Sequence, residues 1–220
     1  MRPSAIRRPQ GRAAALAQYS RRAAHYDAEL ALFEPLRIEA VGLLALRQGQ
    51  RVLDVGCGTG LSFELLERDV GAAGAIVGIE QSPEMLAQAR ARVERSGWGN
   101  VTLVGAPAEE AKVHGRMDAA LFHFTHDVLR NPQALDNVLR HLRPGARVVA
   151  VGLQWASPWA WPANCFVALA AMYSVSSLDG LARPWDQLAA RLQQFRLQTA
   201  LLGGIYLATG LAGTAPADRC

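Results

Sequence analysis

The apolar residues of the chain form short continuous runs that alternate with stretches of helical periodicity. Five runs predict buried strands of a parallel sheet, at residues 51–56, 75–80, 101–105, 117–124 and 147–152. The stretches between them repeat apolar residues every three or four positions, which is typical of helices that cover such a sheet. This alternation predicts an α/β fold with a doubly wound, mostly parallel sheet.

Start and stop signals refine this pattern. Ser82-Pro83 and Asn131-Pro132 each combine an N-cap residue with a proline at the first helical position. Two glycines at 203–204 separate two further apolar runs, which predicts a hairpin at the edge of a seven-stranded sheet. The helix after Asn131 is expected to stop at Pro144-Gly145. Its expected apolar face consists of Leu135, Val138, Leu139 and Leu142.

The N-terminal region carries one apolar stripe, whose members lie three or four residues apart as on one face of a helix. They are Leu16, Tyr19, Ala23, Tyr26, Leu30 and Phe33. This helix either packs on the sheet or closes as a lid over a ligand. We expect a flexible basic tail at 1–12 and a single domain over 13–220. Its N-terminal helices, cofactor-binding core, substrate-side helical insertion and C-terminal hairpin are expected at 13–47, 51–152, 153–190 and 195–211.

Composition is that of an ordinary globular protein. Of the 220 residues, 50% are hydrophobic and 19% are charged, which suits one well-buried domain. The three cysteines are far apart and indicate neither a disulfide framework nor a zinc ribbon, so we expect a cytoplasmic protein. Residues 148–178 carry no charge, but prolines and polar residues interrupt them, so we expect no membrane span.

Positive charge is concentrated near the N-terminus. The net charge is +4, and residues 1–26 hold six arginines and no acidic residue. They form either a solvated tail or a basic arm for anionic lipid at a membrane surface or for nucleic acid. No basic face with interleaved aromatic residues follows, so we expect no nucleic-acid partner.

The segment VLDVGCGTG at 52–60 carries the strongest chemical signal. Its glycines Gly56, Gly58 and Gly60 follow the first strand, at the edge of the sheet where ligands bind in such folds. Glu80 ends the second strand and can accept hydrogen bonds from two ribose hydroxyls. A dinucleotide fingerprint would require glycine at position 61, where leucine stands. Asp54 would repel a pyrophosphate but attract an ammonium group, so the motif favours a cationic amino-acid nucleoside over NAD.

On this motif, residues 51–152 resemble the class I S-adenosylmethionine-dependent methyltransferases. The resemblance implies a Rossmann-like fold and S-adenosylmethionine as cofactor. It further implies that Asp54 and the loop 56–60, with Cys57, hold the methionine part of this cofactor and that Glu80 holds the ribose.

The resemblance also assigns the adenine pocket. Gln81 and Met85 would flank the ring, although Met85 can equally be a core residue. The segment GAPAE at 105–109 matches the adenine-contacting loop and would present Pro107 and Ala108. Ala106 stands where the family often has an acidic residue, which leaves the backbone of Ala108 to make that contact.

The segment YSRRAAHYD at 19–27 is similar to two subfamilies, the quinone-biosynthesis C-methyltransferases and the bacterial phospholipid N-methyltransferases. In them this helix closes over the cofactor. The resemblance implies that Tyr19 reaches the active site and that Tyr26 reaches the cofactor. We expect methyl transfer to a small hydrophobic, aromatic or quinone-like acceptor. The alternatives are a phospholipid N-methyltransferase at the membrane surface and a non-catalytic cofactor binder.

The loop FHFTHD at 122–127 contains the candidate base. Methyl transfer needs in-line positioning, and it needs a base only when the nucleophile arrives protonated. We expect His126, next to Asp127, to be that base if one is used. His123 is the second candidate or, together with Phe122, lines the cofactor pocket. Two histidines three residues apart without a third ligand do not indicate a metal.

The insertion is rich in aromatic residues. Their rings would bind an apolar or cationic acceptor or would simply form the core of a helical cap. They are Trp155, Trp159, Trp161, Phe166, Tyr173 and Trp185. The acceptor, the methylated atom and the oligomeric state stay open at this point.

Overall fold

The computed structural model describes residues 33–174 and 180–213, and the side chains of 33–171 and 180–213. The expected tail at 1–12 and most of the N-terminal stripe, with Tyr19 and Tyr26, lie outside the described residues. The strands are β1 (Arg51–Val55), β2 (Ala75–Glu80), β3 (Val101–Gly105), β4 (Met117–His123), β5 (Leu142–Leu153), β6 (Leu192–Ala200) and β7 (Ile205–Ala212).

The seven strands form one sheet in the order β3-β2-β1-β4-β5-β7-β6. The first five pair in parallel, whereas β7 runs antiparallel to both β5 and β6. The expected α/β class, seven-stranded sheet and edge hairpin are therefore confirmed. The strand order reverses direction between β1 and β4, so the carboxyl ends of these two strands border the crevice where ligands bind in open α/β sheets.

Helices cover both faces of the sheet. They are α1 (Glu34–Leu44), α2 (Phe63–Val70), α3 (Pro83–Ser96), α4 (His126–Leu129), α5 (Pro132–Leu139), α6 (Trp161–Ser174) and α7 (Asp186–Ala189). The predicted caps form, since Ser82 Oγ accepts from the backbone N–H of Met85 at 3.3 Å. Likewise, Asn131 Oδ1 accepts from the N–H of Gln133 at 3.1 Å. No helix in the described part of the chain is long and apolar enough to cross a bilayer.

The two faces of the sheet bury different side chains. Leu53 and Phe122 point to the face covered by α5, while Val52 and Leu121 point to the face covered by α1 and α2. Side chains alternate along a strand. Asp54 and His123 therefore share the face of α1.

The largest difference from the sequence prediction is the start of β5, and β6 also begins three residues before the expected start of the hairpin. Leu142, which was expected on the helix after Asn131, begins β5 instead and is buried there. The pairing jumps from Met117↔Leu142 to Ala119↔Arg147, so the segment around Pro144 bulges out of the ladder. Pro144-Gly145 interrupts the pairing without ending the strand, because the chain resumes its register after the turn.

Candidate functional site

The loop between β1 and α2 is shaped by its glycines. Gly56, Gly58 and Gly60 have φ angles of +68°, +57° and +79°, which residues with side chains rarely adopt. A Cβ atom on Gly56 would lie 2.5 Å from Cγ2 of Thr125, in the loop after β4. Conformation and space therefore both require glycine there. The loops after β1 and β4 consequently meet at the switch point.

This loop is fastened to the end of β2. The N–H of Cys57 donates to the carbonyl of Ile79 at 2.9 Å, and the N–H of Gly58 donates to Oε2 of Glu80 at 3.0 Å. Cys57 is half-buried, and its pKa is raised by burial and by the nearby carboxylates of Asp54 and Glu80. The thiol is therefore uncharged and lines the loop.

Glu80 is held rigidly at the carboxyl end of β2. Its Oε1 accepts from the N–H of Ser82 at 2.7 Å, while Oε2 accepts from Gly58. Burial raises the pKa of this carboxyl group, and the backbone donors oppose that rise. Each carboxylate oxygen retains a lone pair beyond these bonds, so the group can accept two ligand hydroxyls.

Asp54 is 1% exposed, one residue before the end of β1. Its Oδ2 atom is buried and accepts no hydrogen bond from the described residues. Burial raises the pKa of Asp54 to about 7; Arg37 lowers it and Glu80 raises it. A buried carboxylate oxygen without a donor is costly, so this geometry suits a ligand that brings a cationic donor to Oδ2.

Arg37 is a site residue that was not predicted from the sequence. It lies on α1, is 2% exposed and pairs with Glu34. Its charge lowers the pKa values of both Asp54 and His123. Its spacing in the sequence could have indicated that Arg37 is buried. Arg37 falls in the apolar stripe that continues from Phe33 through the buried residues Ala40, Val41 and Leu44.

The expected adenine side has an unforeseen support. Ala108 is buried, and its carbonyl accepts from Nδ2 of Asn137 at 2.7 Å; the same nitrogen donates to the carbonyl of Ala111 at 2.9 Å. Asn137 on α5 thus fixes the segment after β3, which contains Pro107. Gln81 is half-buried at the start of the loop after β2, whereas Met85 is 2% exposed and packs as a buried residue of α3.

Replacing Asn137 with alanine should destabilise the protein and loosen this segment. The variant loses two buried hydrogen bonds and leaves two carbonyls without their donor. We expect a loss of about 1–3 kcal/mol in the free energy of unfolding. Urea denaturation measures it. Gln133→Ala, on the exposed face of the same helix, is the control and should change stability by less than about 0.5 kcal/mol. Equal stability of the two variants would contradict this role.

The end of β4 separates its aromatic residues between the two faces. Phe122 is fully buried in the core on the α5 side, so it does not line the α1 face that carries Asp54 and His123. His123 lies on the other face, with Nε2 buried and unbonded within the described structure. Burial, followed by the charge of Arg37, lowers the pKa of His123 to about 3. His123 is therefore a neutral imidazole at physiological pH.

His126 opens α4 and is 7% exposed. It lies three residues beyond the end of β4, and Asp127 follows it on the same short helix. Since a group with a pKa of about 3 is a weak base, His123 is a poor proton acceptor near neutral pH. Of the two imidazoles, His126 is the one that stays a candidate base.

The aromatic residues of the insertion lie in different environments. Phe166 on α6 lies beside Phe33, with ring centroids 6.0 Å apart. Trp185 packs on Phe195 and donates from Nε1 to Gln154 at 3.2 Å, which is a structural role. Trp155 is half-buried in the core, and Trp159 and Trp161 are exposed at the start of α6. The side chain of Tyr173 lies outside the described residues. No three His, Cys, Asp or Glu side chains converge as a metal site in 33–171 and 180–213.

Comparison with known proteins agrees with this geometry. Residues 52–145 match the family model described as a methyltransferase domain. The 2-phytyl-1,4-naphtoquinone methyltransferase of Thermosynechococcus vestitus is 30% identical over 192 residues, which cover 77% of this chain and 84% of that protein. The ubiquinone/menaquinone biosynthesis C-methyltransferase UbiE of a Geobacter species is 34% identical over 122 residues, covering 54% and 51%.

Solved structures share the fold. The N-methyltransferase NodS of Bradyrhizobium japonicum, in complex with S-adenosyl-L-homocysteine, aligns with a TM-score of 0.65 at 17% identity. The alignment covers 90% of this chain and 98% of NodS.

Three features together define the class I S-adenosylmethionine-dependent methyltransferases. They are this fold, the glycine loop after β1, and the acidic residues near the ends of β1 and β2. The chain belongs to this family, as its match along most of the naphthoquinone methyltransferase shows. It spans about a third to a half of the length of several other curated relatives that it matches.

Proposed function

We propose that this protein transfers a methyl group from S-adenosylmethionine to a small hydrophobic, aromatic or quinone-like acceptor. The observation that carries the proposal is the buried carboxylate of Asp54 beside the glycine loop, whose Oδ2 accepts no hydrogen bond from the described residues. Arg37, a buried residue of α1, lies on the helix that covers the same face of the sheet. An amino-acid end group carries one positive and one negative charge at neutral pH. The two side chains are complementary to it, with Asp54 Oδ2 as the acceptor for the ammonium group and Arg37 as the partner of the carboxylate.

The rest of the cofactor has a residue for each of its parts. Gly56, Gly58 and Gly60 give the methionine chain access to the backbone, and Glu80 accepts the ribose hydroxyls. The adenine lies between Gln81 and the segment with Pro107 and Ala108, where the Ala108 carbonyl is already bonded to Asn137. Buried Met85 supports the pocket from α3. Cys57 contributes a neutral thiol to the wall.

The chemistry that the bound cofactor supplies is an in-line displacement, in which the carbon–sulfur bond breaks with its electron pair left on sulfur as the acceptor gains the methyl group. The protein holds the acceptor on this line. When the acceptor arrives protonated, His126 removes its proton and Asp127 orients the imidazole. The resemblance of the N-terminal segment further supports the proposal that Tyr19 and Tyr26, which lie outside the described residues, act at this site.

The acceptor class is proposed from two features. The relative matched over most of its length is named for a naphthoquinone substrate. In addition, the half-buried rings of Phe124, after the end of β4, and Phe166, on α6, both lie beside Phe33. Neither feature favours a phospholipid headgroup.

Glu80→Ala should weaken S-adenosylmethionine binding about 10–100-fold. The ribose hydroxyls lose a charged acceptor, a loss of about 1.5–3 kcal/mol, and the amide of Gly58 loses its partner. Isothermal titration calorimetry measures this change. Glu94→Ala, an exposed carboxylate near the C-terminal end of α3, is the control and should bind like the wild type. Unchanged affinity in Glu80→Ala would exclude this carboxylate as the ribose ligand.

The activity itself is tested by mass spectrometry. A small-molecule extract is incubated with the protein and with S-adenosylmethionine labelled in the methyl group. We expect a labelled aromatic or quinone-like product with the wild type, and less of it with Glu80→Ala at limiting cofactor. If no small molecule gains the label while the cofactor still binds, the protein is a cofactor binder without transferase activity.

A further inference from the structure

Three phenylalanine rings meet beside the end of β4. The rings of Phe33 and Phe124 have centroids 4.9 Å apart, and the rings of Phe33 and Phe166 have centroids 6.0 Å apart. The three residues come from the start of α1, the loop after β4 and the middle of α6. All three are half-buried, so each ring keeps part of its surface open. We call this set the phenylalanine wall.

The backbone at Phe124 is held in an unusual conformation. Its φ angle is +56°, in the left-handed region that a bulky residue seldom adopts. The N–H of Phe124 donates to the carbonyl of Val151 at 2.8 Å, so the strained residue is anchored to β5. Such strain concentrates at functional sites, because the surrounding structure must enforce it. Here it sets the ring of Phe124 against Phe33.

One polar group borders the wall. The imidazole of His123 meets the ring of Phe124 edge-on, with centroids 4.9 Å apart. Its Nε2 atom is buried and has no hydrogen-bond partner in the part of the chain that the structure describes. β4 pairs with β1, and Val55, the last residue of β1, is opposite Phe122. His123 therefore lies next to the loop proposed to hold the cofactor.

Charge restricts what this pocket can accept. Burial and the charge of Arg37 on α1 both disfavour a positive charge on the imidazole of His123. The same field disfavours a cationic group on a ligand beside His123. A neutral imidazole can either donate to or accept from a hydroxyl group. The pocket therefore combines flat rings, a single neutral hydrogen-bonding atom and a nearby cation. These features together favour a neutral aromatic ligand with a hydrogen-bonding group.

We propose that the phenylalanine wall and Nε2 of His123 form the acceptor pocket, and that its ligand is a neutral planar aromatic molecule with a hydroxyl group bonded to His123. This inference rests on the proposed function, which it makes more specific. His123 is then a positioning and specificity residue, distinct from the base His126. Ring contact supplies most of the affinity, and the hydroxyl bond fixes which edge of the ring points to the loop of Gly56.

The test compares three probes of similar size, 1-naphthol, naphthalene and 1-naphthylmethylamine in its ammonium form. Each is titrated by fluorescence into the 220-residue chain, with and without saturating S-adenosylhomocysteine. We expect 1-naphthol to bind up to about tenfold more tightly than naphthalene, and the ammonium probe to bind most weakly. His123→Phe should make the affinities for naphthol and naphthalene equal, and His123→Gln should restore part of the difference. Phe166→Ala should weaken both probes a few-fold.

Three results would overturn the pocket. They are equal affinities for naphthol and naphthalene in the wild type, an unchanged ratio of these affinities in His123→Phe, and tighter binding of the ammonium probe than of 1-naphthol. Binding of S-adenosylhomocysteine is measured separately by calorimetry. If S-adenosylhomocysteine does not bind, the proposed function is contradicted. The ratio of the naphthol and naphthalene affinities without cofactor still shows whether His123 forms part of the acceptor pocket.

Discussion

Asp54→Asn should weaken S-adenosylmethionine binding about 100-fold while it stabilises the unliganded protein near pH 8. The amide is nearly isosteric but neutral, and its NH₂ group would face the ammonium group of the ligand. Loss of a charged, buried hydrogen bond accounts for roughly 3 kcal/mol of binding free energy. In the unliganded protein the same change removes a carboxylate that is 1% exposed and lacks a donor on Oδ2 among the described residues.

The stability of the unliganded protein follows from the pKa of Asp54, which rises from 3.8 to about 7 on folding. At pH values between these two pKa values, Asp54 is protonated in the folded protein but ionised in the unfolded chain. Stability contributed by this group is therefore present below about pH 4 and lost as the pH rises through 7. The loss amounts to at most about 4 kcal/mol. Asp54→Asn should remove this dependence and unfold at a higher temperature than the wild type at pH 8.

Cofactor binding should show the opposite pH dependence. The ammonium group needs an ionised Asp54, so wild-type affinity should rise as the pH increases from 5.5 to 8, and that of Asp54→Asn should not. Calorimetry at both pH values and thermal denaturation measure the two effects. Asp118→Asn, at the amino end of β4 where it binds the N–H of Arg51, is the matched control and should leave cofactor affinity unchanged. Wild-type affinity in Asp54→Asn would refute the assignment of this residue.

His126→Asn should lower kcat by about 10²–10⁴, with cofactor affinity intact, when the acceptor is protonated. The imidazole is the only proton acceptor proposed in this loop, because the pKa of His123 is about 3. The acid limb of the pH–rate profile should disappear in the variant. The measurement is the rate of labelled product formation from pH 5.5 to 8.5.

Two further histidine variants test whether the effect of His126→Asn is specific to its role as the base. His114→Asn changes an exposed histidine before β4 and should keep the wild-type rate and profile. His123→Asn should weaken acceptor binding without removing the acid limb. A His126→Asn variant that keeps both kcat and the acid limb would show that transfer proceeds by positioning alone.

Most of the fold could be predicted from the sequence because its signals are local. Apolar runs that end at Gly56 and Glu80, and caps at Ser82 and Asn131, appear in the structure within a few residues of the expected places. Leu142 was misassigned because its spacing continues that of Leu139. A helical period cannot reveal that the next residues pair with β4 through a bulge.

The site was predicted only in part, since the missed residues act across long separations in the sequence. Arg37 and Asn137 are polar residues on apolar helix faces, and their roles depend on which strand each helix covers. Likewise, Phe122 was expected in the cofactor pocket with His123, but the two side chains lie on opposite faces of the sheet. Only the packing of α1 showed that Arg37 depresses the pKa of His123. The phenylalanine wall joins three distant segments and has no local pattern.

Cofactor choice is tested by a calorimetric titration of the 220-residue chain with S-adenosylhomocysteine and, separately, with NAD. We expect one S-adenosylhomocysteine site per chain, weakened in Asp54→Asn and Glu80→Ala but not in Asp118→Asn, and no measurable NAD binding at the same concentrations. Binding of NAD without binding of S-adenosylhomocysteine would contradict the cofactor assignment.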